Sequence, residues 1–184
     1  MKARLNWRSM ALLLVCFLVF VTAAPAQWTP MNPVRTVQQE ANGVVLSMGT
    51  GTLKVQVCSD AVIHVLYSPT AAFPKRTDYV VIKETWPATK WTMQSTDDAV
   101  TLSTSLLKVT ITRNDGAISY ADANGEALVT EASRRLTPEK VNGEDTYRAE
   151  SFVNIYGSHE ALYGLGQHQA GVWNYRGESV DISH

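Results

Sequence analysis

Over most of the chain, apolar and polar side chains alternate with a period close to two. In residues 52–57, for example, Leu53, Val55 and Val57 share one face, and the residues between them are polar. This period predicts β-strands with one buried face, because successive side chains of a strand point to opposite faces of the sheet. The same alternation recurs in residues 106–112, so the core is predicted to consist of strands.

Short turns separate the predicted strands. Asn114-Asp115-Gly116 and residues 122–125 (DANG) are typical of tight hairpin turns, in which glycine accepts a positive φ angle. Residues 61–67 form a near-continuous apolar run, and we expect this strand to be covered on both faces. The other strands are predicted at residues 79–83, 99–103, 106–112, 117–121, 127–130, 152–156, 161–163 and 180–182.

Two regions lack this period. Residues 27–42 begin with a proline-containing stretch and are predicted to form an irregular N-terminal arm. Residues 132–146 are charged and contain Pro138 and Gly143, which predicts a surface loop. No stretch has the apolar spacing of an amphipathic helix. Many short strands separated by turns predict an all-β fold, an antiparallel β-sandwich that occupies residues 43–184.

The first residues of the chain have the features of a secretory signal peptide. Lys2, Arg4 and Arg8 form a positively charged end, an apolar run follows at residues 10–21, and the sequence APA precedes Gln27. The alternative is an uncleaved membrane anchor, but this run is shorter than the roughly 20 residues that a spanning helix needs. We therefore expect cleavage after residue 26 and export to a periplasm or to the extracellular space.

Charge and cysteine content narrow the class of partner. The chain has a net charge of −1, and loss of the signal peptide, which carries three basic and no acidic residues, would lower it to −4. This weakly negative balance excludes nucleic acid and an anionic membrane surface as expected partners. Cys58 would be the only remaining cysteine, so no internal disulfide is predicted and a small buried residue is expected there.

Candidate chemistry is concentrated near the end of the chain, where six polar or aromatic side chains of the kinds that bind sugars follow one another. Aromatic faces pack on sugar C–H surfaces, and planar amide and guanidinium groups hydrogen-bond paired hydroxyls. The alternative is that Trp173 and Tyr175 pack on the sandwich while Arg176 pairs with Glu178. The candidate substrate-binding residues are Gln167, His168, Trp173, Asn174, Tyr175 and Arg176.

No catalytic, metal or cofactor site is predicted from the residues. The single imidazole of His168 offers too few ligands for a metal ion. Residues 164–166 (GLG) lack the third glycine and the helix of a dinucleotide site. No spacing of carboxylates indicates the pair of acids that a glycosidase requires.

The same C-terminal stretch resembles a known family. Residues 162–167 (LYGLGQ), Gly171 and residues 174–177 (NYRG) are similar to the N-terminal β-sandwich of glycoside hydrolase family 31, with the pattern of its bacterial α-xylosidase-like members. The resemblance implies a galactose-mutarotase-like sandwich that packs beside a (β/α)8 barrel. It also implies that the catalytic aspartates belong to that barrel, which this sequence does not contain.

Two functional hypotheses follow from the resemblance and the residues. In the first, the chain is the N-terminal part of an exported α-glycosidase, truncated before its barrel and inactive alone. Its partners would be the missing barrel and α-xyloside or α-glucoside oligosaccharides. In the second, the chain is a self-standing exported carbohydrate-binding module.

Overall fold

The computed structural model describes residues 32–73, 85–154, 160–164 and 171–178. Ten strands and no helix occur in these residues, which therefore include no helix able to cross a membrane. The predicted signal peptide and the predicted strands at residues 79–83 and 180–182 lie outside the described residues. The strands are β1 Val34–Glu40, β2 Gly43–Met48, β3 Thr52–Ser59, β4 Val62–Ser68, β5 Thr92–Ser95, β6 Ala99–Ser103, β7 Leu107–Thr112, β8 Ile118–Asp122, β9 Ala127–Val141 and β10 Glu144–Asn154.

The described strands form two antiparallel sheets. The first has the order β1-β2-β3-β4, and the second has the order β10-β9-β8-β7-β6-β5. Within each sheet every strand pairs with its neighbour in sequence, as in a chain of hairpins. The predicted all-β antiparallel architecture is confirmed.

One apolar cluster receives side chains from both sheets. Strands β2 and β3 contribute four aliphatic side chains that are almost fully removed from solvent, and β6 and β7 contribute four more. Full burial of one such side chain stabilises the fold by about 1.5–3 kcal/mol. The alternation predicted for residues 52–57 is confirmed, and that for residues 106–112 is confirmed at Val109 and Ile111, whereas Leu107 is half-buried. The eight side chains are Val44, Leu46, Leu53, Val55, Val100, Leu102, Val109 and Ile111.

Hydrogen bonds also connect the two sheets at their ends. The Val34 amide donates to the Arg113 carbonyl at 2.7 Å, and the Thr104 hydroxyl donates to the Asp60 carbonyl at 2.7 Å. Each bond joins residues far apart in sequence, so each fixes the position of one sheet against the other.

The predicted irregular arm is partly wrong, since residues 34–40 form β1. Val34 is buried and Val37 packs against the same core although the two are three residues apart. The register between β1 and β2 shifts between Val34 and Thr36, and such a bulge moves later side chains to the opposite face. The bulge hides the period of two, and the sandwich therefore begins before residue 43.

The predicted loop at residues 132–146 is also wrong. These residues belong to the β9–β10 hairpin, whose turn at Asn142 and Gly143 has φ angles of 52° and 87°. Two consecutive positive φ angles at Asn-Gly are the signature of a tight hairpin turn. Pro138 is tolerated because β8 pairs with β9 only along residues 127–130, which leaves that side of β9 without a strand partner among the described residues.

Strand β4 is less covered than its apolar sequence predicts. Residues 62–67 are partly exposed, and Val62 keeps 41% of its surface accessible, so the expectation of cover on both faces is wrong. The reason is its position, since β4 is the last strand of the first sheet in the described part of the chain. Strand β5 was not predicted, because its sequence TMQS is too short and polar to show a period.

Gly116 in the β7–β8 turn is predicted to tolerate an added side chain poorly. Its φ angle is 71°, and an added Cβ would collide with the Met48 side chain and lie 3.1 Å from the Asn32 carbonyl oxygen. We expect Gly116→Ala to lower the free energy of unfolding by about 1–3 kcal/mol, from backbone strain together with displacement of the flexible Met48 methyl group.

The matched control is Gly125→Ala, where φ is 89° but no atom lies within 4 Å of the added Cβ. Only the strain of about 1 kcal/mol should remain there. Urea unfolding of both variants measures the difference, and equal losses would show that the contact with Met48 is unimportant.

Candidate functional site

Residues 171–178, which carry all four described candidate residues, lie beside residues 160–164. The amide of Tyr175 donates to the carbonyl of Leu162 at 2.9 Å, which joins residues 171–178 to residues 160–164. Neither segment forms a regular strand, so the strand predicted at residues 161–163 is wrong. Between the described residues of the two segments, the Tyr175–Leu162 bond takes the place of the ladder that a strand would make.

Asn174 holds both segments through its side chain. Its Oδ1 atom accepts a hydrogen bond from the Leu162 amide at 3.0 Å and another from the Arg176 amide at 3.1 Å. The second bond is an Asx-turn, in which the side chain mimics a backbone carbonyl. The amide group of Asn174 is thus engaged in local structure at its oxygen.

Arg176 and the following turn add a further connection. The Nη1 atom of Arg176 donates to the Glu160 carbonyl at 2.9 Å, and the Glu178 amide donates to the Tyr175 carbonyl at 3.1 Å. The guanidinium group therefore reaches back across the chain to the other segment. The first bond connects residues 171–178 to residues 160–164, and the second closes a turn at residues 175–178.

The aromatic side chains divide into a buried one and two exposed ones. Tyr175 retains 8% of its surface, whereas Trp173 retains 84% and Tyr163 retains 58%. The rings of Tyr163 and Trp173 stand edge to face, with centroids 6.4 Å apart and planes at 60°. The alternative that both rings pack on the sandwich thus agrees with the burial of Tyr175 and disagrees with the exposure of Trp173.

Tyr163 was absent from the predicted candidate residues. Its position before Gly164 gave no reason to place it beside the ring of Trp173, ten residues later. The two rings meet because the hydrogen bond between the Tyr175 amide and the Leu162 carbonyl brings their segments together. Gln167 and His168 lie outside the described residues.

A separate cavity of about 420 Å³ opens between β4 and strands β8 to β10. Its walls are mostly apolar, and Glu131 and Arg134 are its most buried charged side chains. The Arg134 guanidinium donates to both carboxylate oxygens of Glu131, at 2.8 and 2.6 Å, and lies 5.7 Å from the centre of the Tyr67 ring. Glu131 also accepts the Ile118 amide at 3.2 Å. Three hydrogen bonds from Arg134 and Ile118 thus hold this carboxylate in place.

Tyr120 lines the same cavity. Burial raises the pKa of its hydroxyl above the ordinary value of 10.0, the Glu131 carboxylate raises this pKa further, and Arg134 lowers it. Burial likewise raises the pKa of the Cys58 thiol, in agreement with the small buried residue predicted there. No group of acidic, histidine or cysteine residues able to hold a metal ion occurs within the described ranges.

The two antiparallel sheets define an all-β domain of the galactose-mutarotase-like type. Residues 52–183 match the glycosyl hydrolase 31 N-terminal galactose mutarotase-like domain. This match covers more than half of the chain, which therefore belongs to that family. The resemblance predicted from residues 162–177 is confirmed.

Three solved structures are similar to the chain. The family 31 α-xylosidase of Xanthomonas citri is 28% identical, with a TM-score of 0.69 over 77% of this chain and 16% of its own. An α-xylosidase from a soil metagenome, in complex with xylose, is 15% identical, with a TM-score of 0.64 over 78% of this chain and 24% of its own.

The third is a Flavobacterium johnsoniae dextranase in complex with isomaltotriose. It is 18% identical, with a TM-score of 0.61 over 80% of this chain and 18% of its own. This chain therefore spans less than a quarter of the length of each of the three enzymes. The second and third likenesses concern the fold alone.

Removing the Asn174 side-chain oxygen should loosen the site. Asn174→Ala loses two hydrogen bonds, each worth about 0.5–1.5 kcal/mol. We expect the Leu162 and Arg176 amides to exchange with solvent about tenfold faster, as measured by hydrogen–deuterium exchange. Asn174→Asp, which keeps the acceptor, should remain within about threefold of the original rate. Unchanged exchange in the alanine variant would contradict this role.

The raised pKa of Tyr120 predicts a loss of stability in alkali. Because the folded-state pKa exceeds the unfolded value, the contribution is present below about pH 10 and is lost as the pH rises through the folded pKa. The free energy of unfolding should therefore fall more steeply above about pH 10 in the original protein than in Tyr120→Phe. Parallel pH profiles from urea unfolding would refute the prediction.

Proposed function

We propose that this chain is the N-terminal non-catalytic domain of an exported α-glycosidase of glycoside hydrolase family 31, similar to the α-xylosidases. In the full-length protein it helps to bind the carbohydrate whose O-glycosyl bond a separate barrel hydrolyses. The observation that carries this proposal is the family match over residues 52–183, which identifies an N-terminal domain. The preference for α-xylosides rests on the 28% identity to the Xanthomonas citri α-xylosidase.

The described residues support a non-catalytic role. Retaining glycosidases need two carboxyl groups about 5–5.5 Å apart. In the cavity, Glu131 is held by Arg134 and by the Ile118 amide, and Glu150 lies 3.8 Å from Arg135 in an ion pair. Each of these two carboxylates is therefore paired with an arginine. The reacting groups are assigned to the barrel, as the family resemblance implies.

Support for carbohydrate binding comes from the exposed indole of Trp173. A tryptophan ring with 84% of its surface accessible costs free energy in water unless a ligand or a partner covers it. Sugars with apolar C–H faces are suitable ligands. Among the described candidate residues, Trp173 offers an exposed ring for such a contact, while Asn174 and Tyr175 hydrogen-bond to the neighbouring segment.

The experiment compares the full-length protein encoded by this reading frame with the chain of 184 residues alone. We expect the full-length protein to hydrolyse p-nitrophenyl α-xyloside faster than the α-glucoside, and the chain alone to hydrolyse neither. Turnover by the purified chain would overturn the non-catalytic role. A full-length protein that cleaves no α-glycoside would overturn the proposed enzyme class.

Export is tested separately by cell fractionation and mass spectrometry. The proposal requires a mature protein that begins at Gln27 in the periplasm or the medium. Retention of residues 1–26 in a membrane-bound product would favour the anchor instead.

A self-standing carbohydrate-binding module is the second candidate, favoured by the same exposure of Trp173. Two observations together distinguish the candidates. Calorimetry measures whether the chain binds xyloglucan oligosaccharides, and the reading frame after residue 184 shows whether a barrel is encoded. Binding without a downstream barrel would support the module.

A further inference from the structure

We propose that Tyr163 and Trp173 together form an aromatic corner that binds the interior of an oligosaccharide chain and does not bind a single free sugar. This inference rests on the carbohydrate contact proposed above. It adds Tyr163 as a binding residue and specifies the length of the ligand.

The aromatic corner has two walls, one from each ring. The two rings meet edge to face at 60°, so they form an angled surface with two walls instead of one flat platform. Edge-to-face rings with centroids about 4.5–7 Å apart attract each other. Each ring therefore helps to hold the other in place before any ligand arrives.

Hydrogen bonds hold the backbone next to both rings in place. Tyr163 follows Leu162, whose amide and carbonyl are both bonded to the opposite segment, to Asn174 and Tyr175 respectively. Trp173 directly precedes Asn174. The backbone beside each ring is thus fixed by hydrogen bonds, and a preorganised aromatic pair loses little conformational entropy on binding.

Both rings of the corner are open to solvent. A site for one sugar is concave and encloses most of its ligand. Trp173 and Tyr163 instead keep 84% and 58% of their surfaces accessible, and can cover only one side of each sugar ring. Such a surface needs several consecutive sugar units to accumulate measurable affinity. A chain that continues past both walls satisfies this requirement, whereas free xylose does not.

The experiment measures binding to the chain of 184 residues by calorimetry and by tryptophan fluorescence, with free xylose and a xyloglucan oligosaccharide as ligands. We expect heat and a fluorescence change with the oligosaccharide alone. Trp173→Ala should weaken binding at least about tenfold and Tyr163→Ala about fivefold, as expected for anchor aromatics. Tyr163→Phe should bind normally, because the ring and not the hydroxyl makes the contact.

Tyr147→Ala is the matched control. Tyr147 is an aromatic residue of β10 with 47% of its surface exposed, and it lies outside the corner. Its removal should leave binding unchanged, and thermal unfolding of each variant checks that the fold is retained. Normal binding by Tyr163→Ala, or equal affinity for free xylose, would overturn the inference while leaving the proposed function intact.

A second measurement uses the full-length enzyme with two substrates. α-Xylosyl fluoride reports the reacting sugar alone, whereas a xylose-capped oligosaccharide also occupies the surface beyond it. We expect Tyr163→Ala and Trp173→Ala to lower kcat/KM for the oligosaccharide about tenfold and to leave the fluoride unchanged. Equal losses on both substrates would show that the corner contacts the barrel and would overturn the inference. Absence of activity on both in the unmodified enzyme would instead defeat the proposed function.

Discussion

The packing of β2 and β3 against β6 and β7 is the interaction on which the rest of the domain depends. Each pair of strands contributes four aliphatic side chains with almost no remaining exposure, so the two sheets cannot separate without returning the whole cluster to water. No disulfide assists them, since Cys58 is a free buried thiol. The tight turn at Gly116 matters because it brings β8 back onto this core beside Met48.

Side chains are less buried away from this core. Polar interactions therefore take over from apolar packing in two peripheral regions, the cavity beside β9 and β10 and the surroundings of Trp173. At one end, β9 and β10 extend beyond β8, and Arg134 reaches from β9 to the ring of Tyr67 on the other sheet. The cavity there is apolar yet held by an ion pair. Around Trp173, by contrast, hydrogen bonds of Asn174 and Tyr175 do the positioning that side-chain packing does elsewhere.

The sequence predicted strands well where alternation was regular and failed where a local irregularity hid it. Strand β6 was predicted with its observed bounds, and β7 within one residue, because neither contains a bulge. In β1 a bulge places Val34 and Val37 on one face at an unexpected spacing. In β9 and β10 the exposed, charged surface concealed a hairpin whose Asn142-Gly143 turn was visible in the sequence.

For the site, residue type proved a weaker guide than residue position. Asn174, Tyr175 and Arg176 have side chains suited to sugars, but the described contacts use Asn174 and Arg176 to join two segments and bury Tyr175. Tyr163 lies in the family motif but was not among the candidate binding residues, and it stands beside Trp173, the exposed ring among the described candidates. A side chain can serve a ligand only with the surface that folding leaves open. Because that surface depends on hydrogen bonds between segments ten residues apart, it could not be derived from composition or spacing.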